Sequence, residues 1–300
     1  MLDLRARIPG HALIEKLLAE CDAGRIRVEH DAAVIDEESL GWYWGVFGER
    51  ITAANLGYLG PDWTVLHSVP VGRSGKDIDH IAIGPPGVVV INSKDHRGKS
   101  IWAGGFGLKV NGQSRSGYIQ GVLRDIALAE ERLTRAVGFA VEVRGALSFI
   151  APRSLKVTAQ PGSPEHPITV ASAEYLAPKL RSARPEYSAE QVGRIVEAAS
   201  SPYTWLSHPE RSRPGPALDQ EFEALAAELG PMIDRRHQPP PAPAPSRAPA
   251  RRPAARRRRS PLSRLLAGLI GLASAFLLFG LLVGVALPMY LAWLASLGRH

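Results

Sequence analysis

One cysteine, Cys21, is too few for an internal disulfide or a multi-cysteine metal centre. It lies in "LIEKLLAECDAG", a helical pattern in which a buried or half-buried thiol packs rather than attacks. The amino terminus, "MLDLRARIPG", is charged and has no apolar core, so it does not read as a signal peptide. No "GxSxG" and no "GxxxxGK" occurs, which removes the commonest serine-hydrolase and phosphate-loop signatures. Positive charge is also scarce where a nucleic-acid grip would need it. From Pro231 onward eleven Lys or Arg face one acid, Asp234, so of the 36 basic and 29 acidic residues in the chain only 25 basic but 28 acidic fall within 1–230. The basic balance of the chain belongs to its carboxyl-terminal part, and no basic stripe dominates the rest.

That carboxyl-terminal part has its own pattern. Leu265 to Leu297 contains no charged residue over thirty-three positions, and a spanning helix needs about 20. Seven arginines between Arg251 and Arg264 precede this run and only Arg299 follows it. The positive-inside bias then predicts a single-pass, tail-anchored protein of the cell membrane with its amino-terminal domain in the cytoplasm. "GLLVG", Gly280 to Gly284, has the small-residue spacing that permits a homodimer through the span. The preceding "PPPAPAPSRAPARRPAARRRRSP" denies backbone donors and reads as a disordered, semi-stiff linker whose arginines suit anionic lipid headgroups, with nucleic acid as the other partner of the same charge. The expected organisation is an amino-terminal helical segment (1–36), a globular domain (37–230, core about 45–150), a Pro/Arg-rich linker (231–262) and a transmembrane helix (263–297).

Within the globular part, helical spacing is expected over 10–23 and roughly 37–59, the second interrupted by Gly41, Gly45 and Gly48. Strands are expected at 63–69, 77–83, 87–93 and 108–110, then a helix at about 118–138 and strands at 141–150 and 155–159. Short helices at 172–182, 188–199 and 217–229 complete the domain. This order predicts an α/β (α+β) fold with a mixed central sheet flanked by helices. "GGFGLKVNGQ" reads as a hairpin, and Trp42, Tyr43, Trp44 and Phe47 as packing rather than a base-stacking platform.

The segment "GKDIDHIAIGPPGVVVINSKDHRG" carries the chemistry. Alternation places Asp77, Asp79, Ile81 and Ile83 on one face of the first strand and Val88, Val90, Asn92 and Lys94 on one face of the second. If the strands are neighbours, Asp79, Asn92 and Lys94 converge at one sheet end. A carboxylate, an amide oxygen and an ammonium suit metal-assisted phosphodiester hydrolysis, although spacing alone favours a plain Asp79–Lys94 ion pair with Asn92 capping a turn. His80 falls on the opposite face and reads as a packed histidine. Arg73, Lys76, His96 and Arg97 flank the segment as candidate substrate-binding residues.

"FGERITAANLGYL" followed by "DIDHIAIGPPGVVVINSKDHRG" resembles the NERD (nuclease-related) domain, placed among the PD-(D/E)xK phosphodiesterase folds, over roughly residues 45–150. The resemblance implies a restriction-endonuclease-like core and a divalent-metal nuclease acting on DNA or RNA with Mg²⁺ or Mn²⁺. It assigns Asp79 as the principal metal carboxylate, Glu49 as a helix-borne acid, Lys94 as the catalytic lysine and Gln120 as a helical residue near the phosphate. Asn92 departs from the pattern, which has Asp or Glu there. The amide supplies an oxygen to the metal set of Glu49, Asp79 and Asn92 but no charge. The alternative is therefore a catalytically inactive nucleic-acid-binding or interaction module of the same fold, tethered to the membrane.

Overall fold

Two strands joined by a four-residue turn sit at the centre of the molecule, because "HIAIGPPGVVVI" is apolar on both faces and needs cover on both. The computed structural model describes residues 3–237 apart from 73–75, 106, 210 and 211. The chain divides into two units, Met1–Gln238 and Pro239–His300, and the described residues belong to the first.

In chain order the elements are α1 (His11–Asp22), β1 (Arg27–Glu29), β2 (Ala32–Val34), α2 (Glu37–Leu56), β3 (Thr64–Val71), β4 (Lys76–Gly84), β5 (Gly87–Asp95), β6 (Ser100–Gly104), β7 (Gly107–Val110), β8 (Gln113–Ser114), α3 (Gly117–Val137), β9 (Val143–Ile150), β10 (Ser154–Val157), β11 (Ile168–Ser172), α4 (Ala173–Arg181), α5 (Ala189–Ser200), α6 (Pro202–Trp205) and α7 (Gly215–His237). The central sheet has the order β11-β9-β5-β4-β3. The β3–β4 and β4–β5 pairs are antiparallel, and β5–β9 and β9–β11 are parallel. It is a mixed sheet, and α3 serves as the crossover that a parallel β5–β9 pair requires. A second sheet, β10-β6-β7-β8, contains the expected 104–113 hairpin.

The two faces of the central sheet are covered differently. Leu66, Ile81, Ile83, Val88, Val90, Leu147 and Phe149 pack with Ile119, Val122, Ile126, Ala129 and Leu133 of α3. Ala82, Val89, Ile91 and Ala146 pack with Leu56, Leu59, Leu176 and Leu180. A third cluster joins α1, α2 and α7 through Ile14, Leu17, Tyr43, Val46, Leu218, Phe222 and Ile233.

This third cluster explains one agreement with and one departure from the sequence expectation. The glycine-interrupted segment is one continuous, close-packed helix, in which Gly45 admits a neighbour: a Cβ there would stand 2.8 Å from Leu13 Cδ1. Helix α7 runs past its expected end at 229, through Pro231 to His237, because Leu229 and Ile233 are buried against α1 and α2. Packing of one face outweighs the breaker signal. Residues 1–36 accordingly lie in the same compact unit as the globular domain. Among the described residues no helix is long and apolar enough to cross a membrane, and the expected span at 263–297 lies outside them.

Candidate active site

The ladder between β4 and β5 runs from Gly84↔Gly87 to His80↔Ile91 and ends there. Beyond it β4 continues against β3, through Val69↔Ile78 and Val71↔Lys76, while β5 continues against β9, through Asn92↔Leu147 and Lys94↔Phe149. The strands fork, and Asp79 and Asn92 are the first residues past the last pair. Cross-strand partners share a face, so Ile81↔Val90 places Asn92 and Lys94 on the α3 side. In β4 the alternation breaks at Asp79, since Ile78 joins Ile81 in the α3-side core, and Asp79 stands in the fork itself, eased by the charge of Lys94. One carboxylate oxygen of Asp79 fills the fork, accepting a hydrogen bond from the Ser93 amide at 2.7 Å.

The other acids arrive from separate elements. Glu49 of α2 is 4% exposed, and its Oε2 accepts from the Gly10 amide at 2.9 Å and from the Ser68 hydroxyl at 3.3 Å. Ser68 is fully buried with φ of +45°. It is skipped by the β3–β4 register opposite Asp79, and its carbonyl accepts from Arg7 Nε at 2.7 Å. A left-handed serine costs about 1–2 kcal/mol, and strain of this kind gathers at functional sites. Asp77 precedes Asp79 on β4. Asp125, 3% exposed, comes from the buried stripe of α3 and is ion-paired with Lys76.

Burial is the first cause of the electrostatics. It raises the pKa of Glu49 well above the usual carboxyl range, with Asp79 and Asp77 adding to the rise. It pushes Asp79 up to about 6, eased by Lys94 and the Ser93 amide and aggravated by Asp77 and Asp125. Asp77 and Asp125 are raised for the same first reason, the former eased by Ser68 and Arg7, the latter by Lys76. Four carboxyls thus share a site whose nearby cations do not offset their burial. Two acceptors there, Asn92 Oδ1 and Asp77 Oδ2, are buried with no hydrogen-bond partner. Such orphans are rare in native proteins and point to a missing water or ion.

The remaining expected residues surround the fork to different degrees. Lys94 Nζ lies 4.9 Å over the Tyr118 ring. The His96 ring stacks on Tyr118 and Phe149, with its Nε2 3.2 Å from the Tyr118 hydroxyl. Burial, then the charges of Lys99, Lys94 and Arg115, bring its pKa down to about 4. Arg97 is exposed and pairs with Asp95 at 3.2 Å. Lys76 is the partner of Asp125, Gln120 is exposed off the buried stripe of α3, and Arg73 lies outside the described residues. His80 is fully buried on the opposite face, where its Nδ1 meets His67 Nδ1 at 2.9 Å and its Nε2 meets Ser93 Oγ at 3.1 Å.

Sequence reasoning missed Asp125, Ser68 and the role of Asp77. The signal for Asp125 was present: an acid inside the stripe Ile119, Val122, Ile126, Ala129, where only apolar residues are expected. Among the described residues no three His, Cys, Asp or Glu side chains converge closely enough to hold a metal by themselves. A cation at the fork would need the Asn92 oxygen beside the carboxylates, and the orphaned state of that oxygen fits such a use. A surface groove of about 620 Å³ between β10, β11 and α4, lined by Leu155, Val157, Val170, Tyr175 and Lys179, contains none of these groups.

A central mixed sheet flanked by helices fits an α+β nuclease-like core. Residues 44–150 match the family model described as "Nuclease-related domain", which covers α2 from Trp44 through β9 and therefore every carboxyl of the fork. The match supports a nuclease-related domain protein. No curated protein and no solved structure matches the chain.

Proposed function

We propose that the protein is a membrane-anchored phosphodiesterase that hydrolyses DNA or RNA with a divalent cation, Mg²⁺ or Mn²⁺, at the β4–β5 fork. The observation that carries the reading is the charge state of the fork: four carboxyls, Glu49 and Asp125 buried and Asp77 and Asp79 half-buried, held above their ordinary pKa, with two orphaned oxygens among them, inside the matched segment. An excess of buried negative charge is costly unless a cation offsets it.

Asp79, Glu49 and Asn92 would hold the ion, which when bound supplies Lewis-acid neutralisation of charge on the phosphoryl oxygens. The chain's own residues do the rest. Lys94, across the fork from Asp79, presents an ammonium that orients the attacking water and offsets charge developing on the phosphate. Ser93 fixes the Asp79 carboxylate through its amide. Tyr118 and His96 wall the lysine, and a neutral His96 leaves the positive charge there to Lys94. Arg97, on the loop beyond β5, would meet the phosphate backbone. The uncharged run at 265–297 and the arginines before it support a single-pass anchor with the catalytic domain on the cytoplasmic side and the linker on anionic lipid.

The amide at Asn92 favours a second reading, a tethered module that binds nucleic acid without cutting it. Incubation of the full chain in detergent with labelled DNA and RNA, with and without Mn²⁺, separates the two. Metal-dependent cleavage that is lost on chelation is the expected result; nucleic acid that is retained but intact under every metal condition supports the binding module.

A further inference from the structure

We infer that Asp125 of α3 supplies the further carboxylate that Asn92 withholds from the fork, and that Lys76 occupies this carboxylate until a divalent cation displaces it. The inference rests on the fork being a cation site and assigns to it a residue outside the strand segment that carries the other groups.

Three placements carry it. First, α3 crosses the sheet where Gly145 leaves room: a Cβ there would stand 2.4 Å from Val122 Cγ1 and 2.8 Å from Ile126 Cδ1. Gly145 is in register with Val90, and Val90 with Ile81. Asp125, between these two contact residues, is therefore held over the sheet near the last ladder pairs before the fork, on the face of Asn92 and Lys94. Second, the carboxyl is almost completely buried and its ion-pair partner is the first residue of β4, three positions before Asp79. A solvent-facing lysine, 47% exposed at its side chain, reaches inward to this acid. Third, the Asn92 oxygen on the same face is buried and without a partner.

A buried carboxylate needs a positive partner, and Lys76 is the one it has. An ammonium on an exposed stem is a displaceable cation, because its own charge is recovered by water when it swings out. Divalent binding then exchanges one cation for another rather than creating a buried charge.

The test is isothermal titration of Mn²⁺ into the full detergent-solubilised chain, with a thermal melt of every variant as a control for folding. Asp125→Asn keeps an oxygen for Lys76 and is expected to weaken Mn²⁺ binding at least tenfold. Lys76→Gln is expected to tighten it severalfold, and Lys76→Arg to leave it weaker than Lys76→Gln. In the Asp125→Asn background the gain from Lys76→Gln is expected to vanish, which separates ligand competition from a general loss of positive charge. Binding that Asp79→Asn abolishes but Asp125→Asn leaves within twofold overturns this inference and spares the fork. A wild-type chain that takes up no Mn²⁺ overturns both.

Discussion

The two ends of the β4–β5 hairpin are built from the same strands by opposite rules. At the turn end Ile81, Ile83, Val88 and Val90 are all but fully buried in regular ladder pairs, with helices on both faces. At the other end the ladder has opened, Ser68 is strained, two oxygens lack partners and four carboxyls are held above their ordinary pKa. The first end stabilises the fold; the second is tolerated because the first is there. A site that must receive a cation gathers acids that the protein's own cations only partly offset, and that state lowers the stability of the free protein.

The contrast is broken most severely from the apolar end. Ile83→Ala is expected to cost about 2–5 kcal/mol, measured by urea unfolding, because the cavity lies between α3 and the sheet. The histidines behind the fork give the next effect. Burial brings His67 down to about 4, whereas the unfolded chain takes up its proton near 6.5, so below that value the unfolded state binds more protons. Stability is then expected to fall as pH drops from about 6.5 to about 4, by up to about 3 kcal/mol. Denaturation midpoints across that window, compared with His67→Leu, should show a shallower fall in the variant.

At the fork the effects move from stability to chemistry. Lys94→Ala is expected to lower the cleavage rate by about 100-fold or more while shifting stability by less than about 1 kcal/mol. Initial rates and melts on the same preparation check both. Asn92→Asp sharpens the comparison further. Added charge is expected to tighten Mn²⁺ binding and to cost the metal-free protein about 1–3 kcal/mol, so its melting temperature should fall without Mn²⁺ and recover with it. The smallest change is expected from Glu49→Gln, which keeps the acceptor for Gly10 and Ser68. Its unfolding free energy without metal should stay within about 1 kcal/mol of wild type, while Mn²⁺ binding weakens.

Much of this arrangement was legible in the sequence because alternation and a turn fix register locally. "GPPG" sets Gly84 opposite Gly87, and the pairs up to His80↔Ile91 are obtained by counting. The shared face of Asn92 and Lys94, with Asp79 across the fork from them, is a consequence of that count. Features set by tertiary packing were not legible. Strand β11 is hidden in a segment rich in Pro and Gly and forms by parallel pairing with β9. The length of α7 depends on a helical cluster whose members are some 200 residues apart. The left-handed Ser68 is held by Glu49 of α2 and by Arg7 of the segment before α1, contacts distant in sequence. Asp125 was visible as an anomaly in an apolar stripe, but its partner Lys76 is not readable from helix periodicity.

The central claim is that the open end of the hairpin is a cation site. A crystal of the protein grown with Mn²⁺ and measured at the manganese absorption edge tests it directly. An anomalous peak among Glu49, Asp79 and the Asn92 oxygen is the predicted result; a fork without anomalous signal at saturating Mn²⁺ would contradict it.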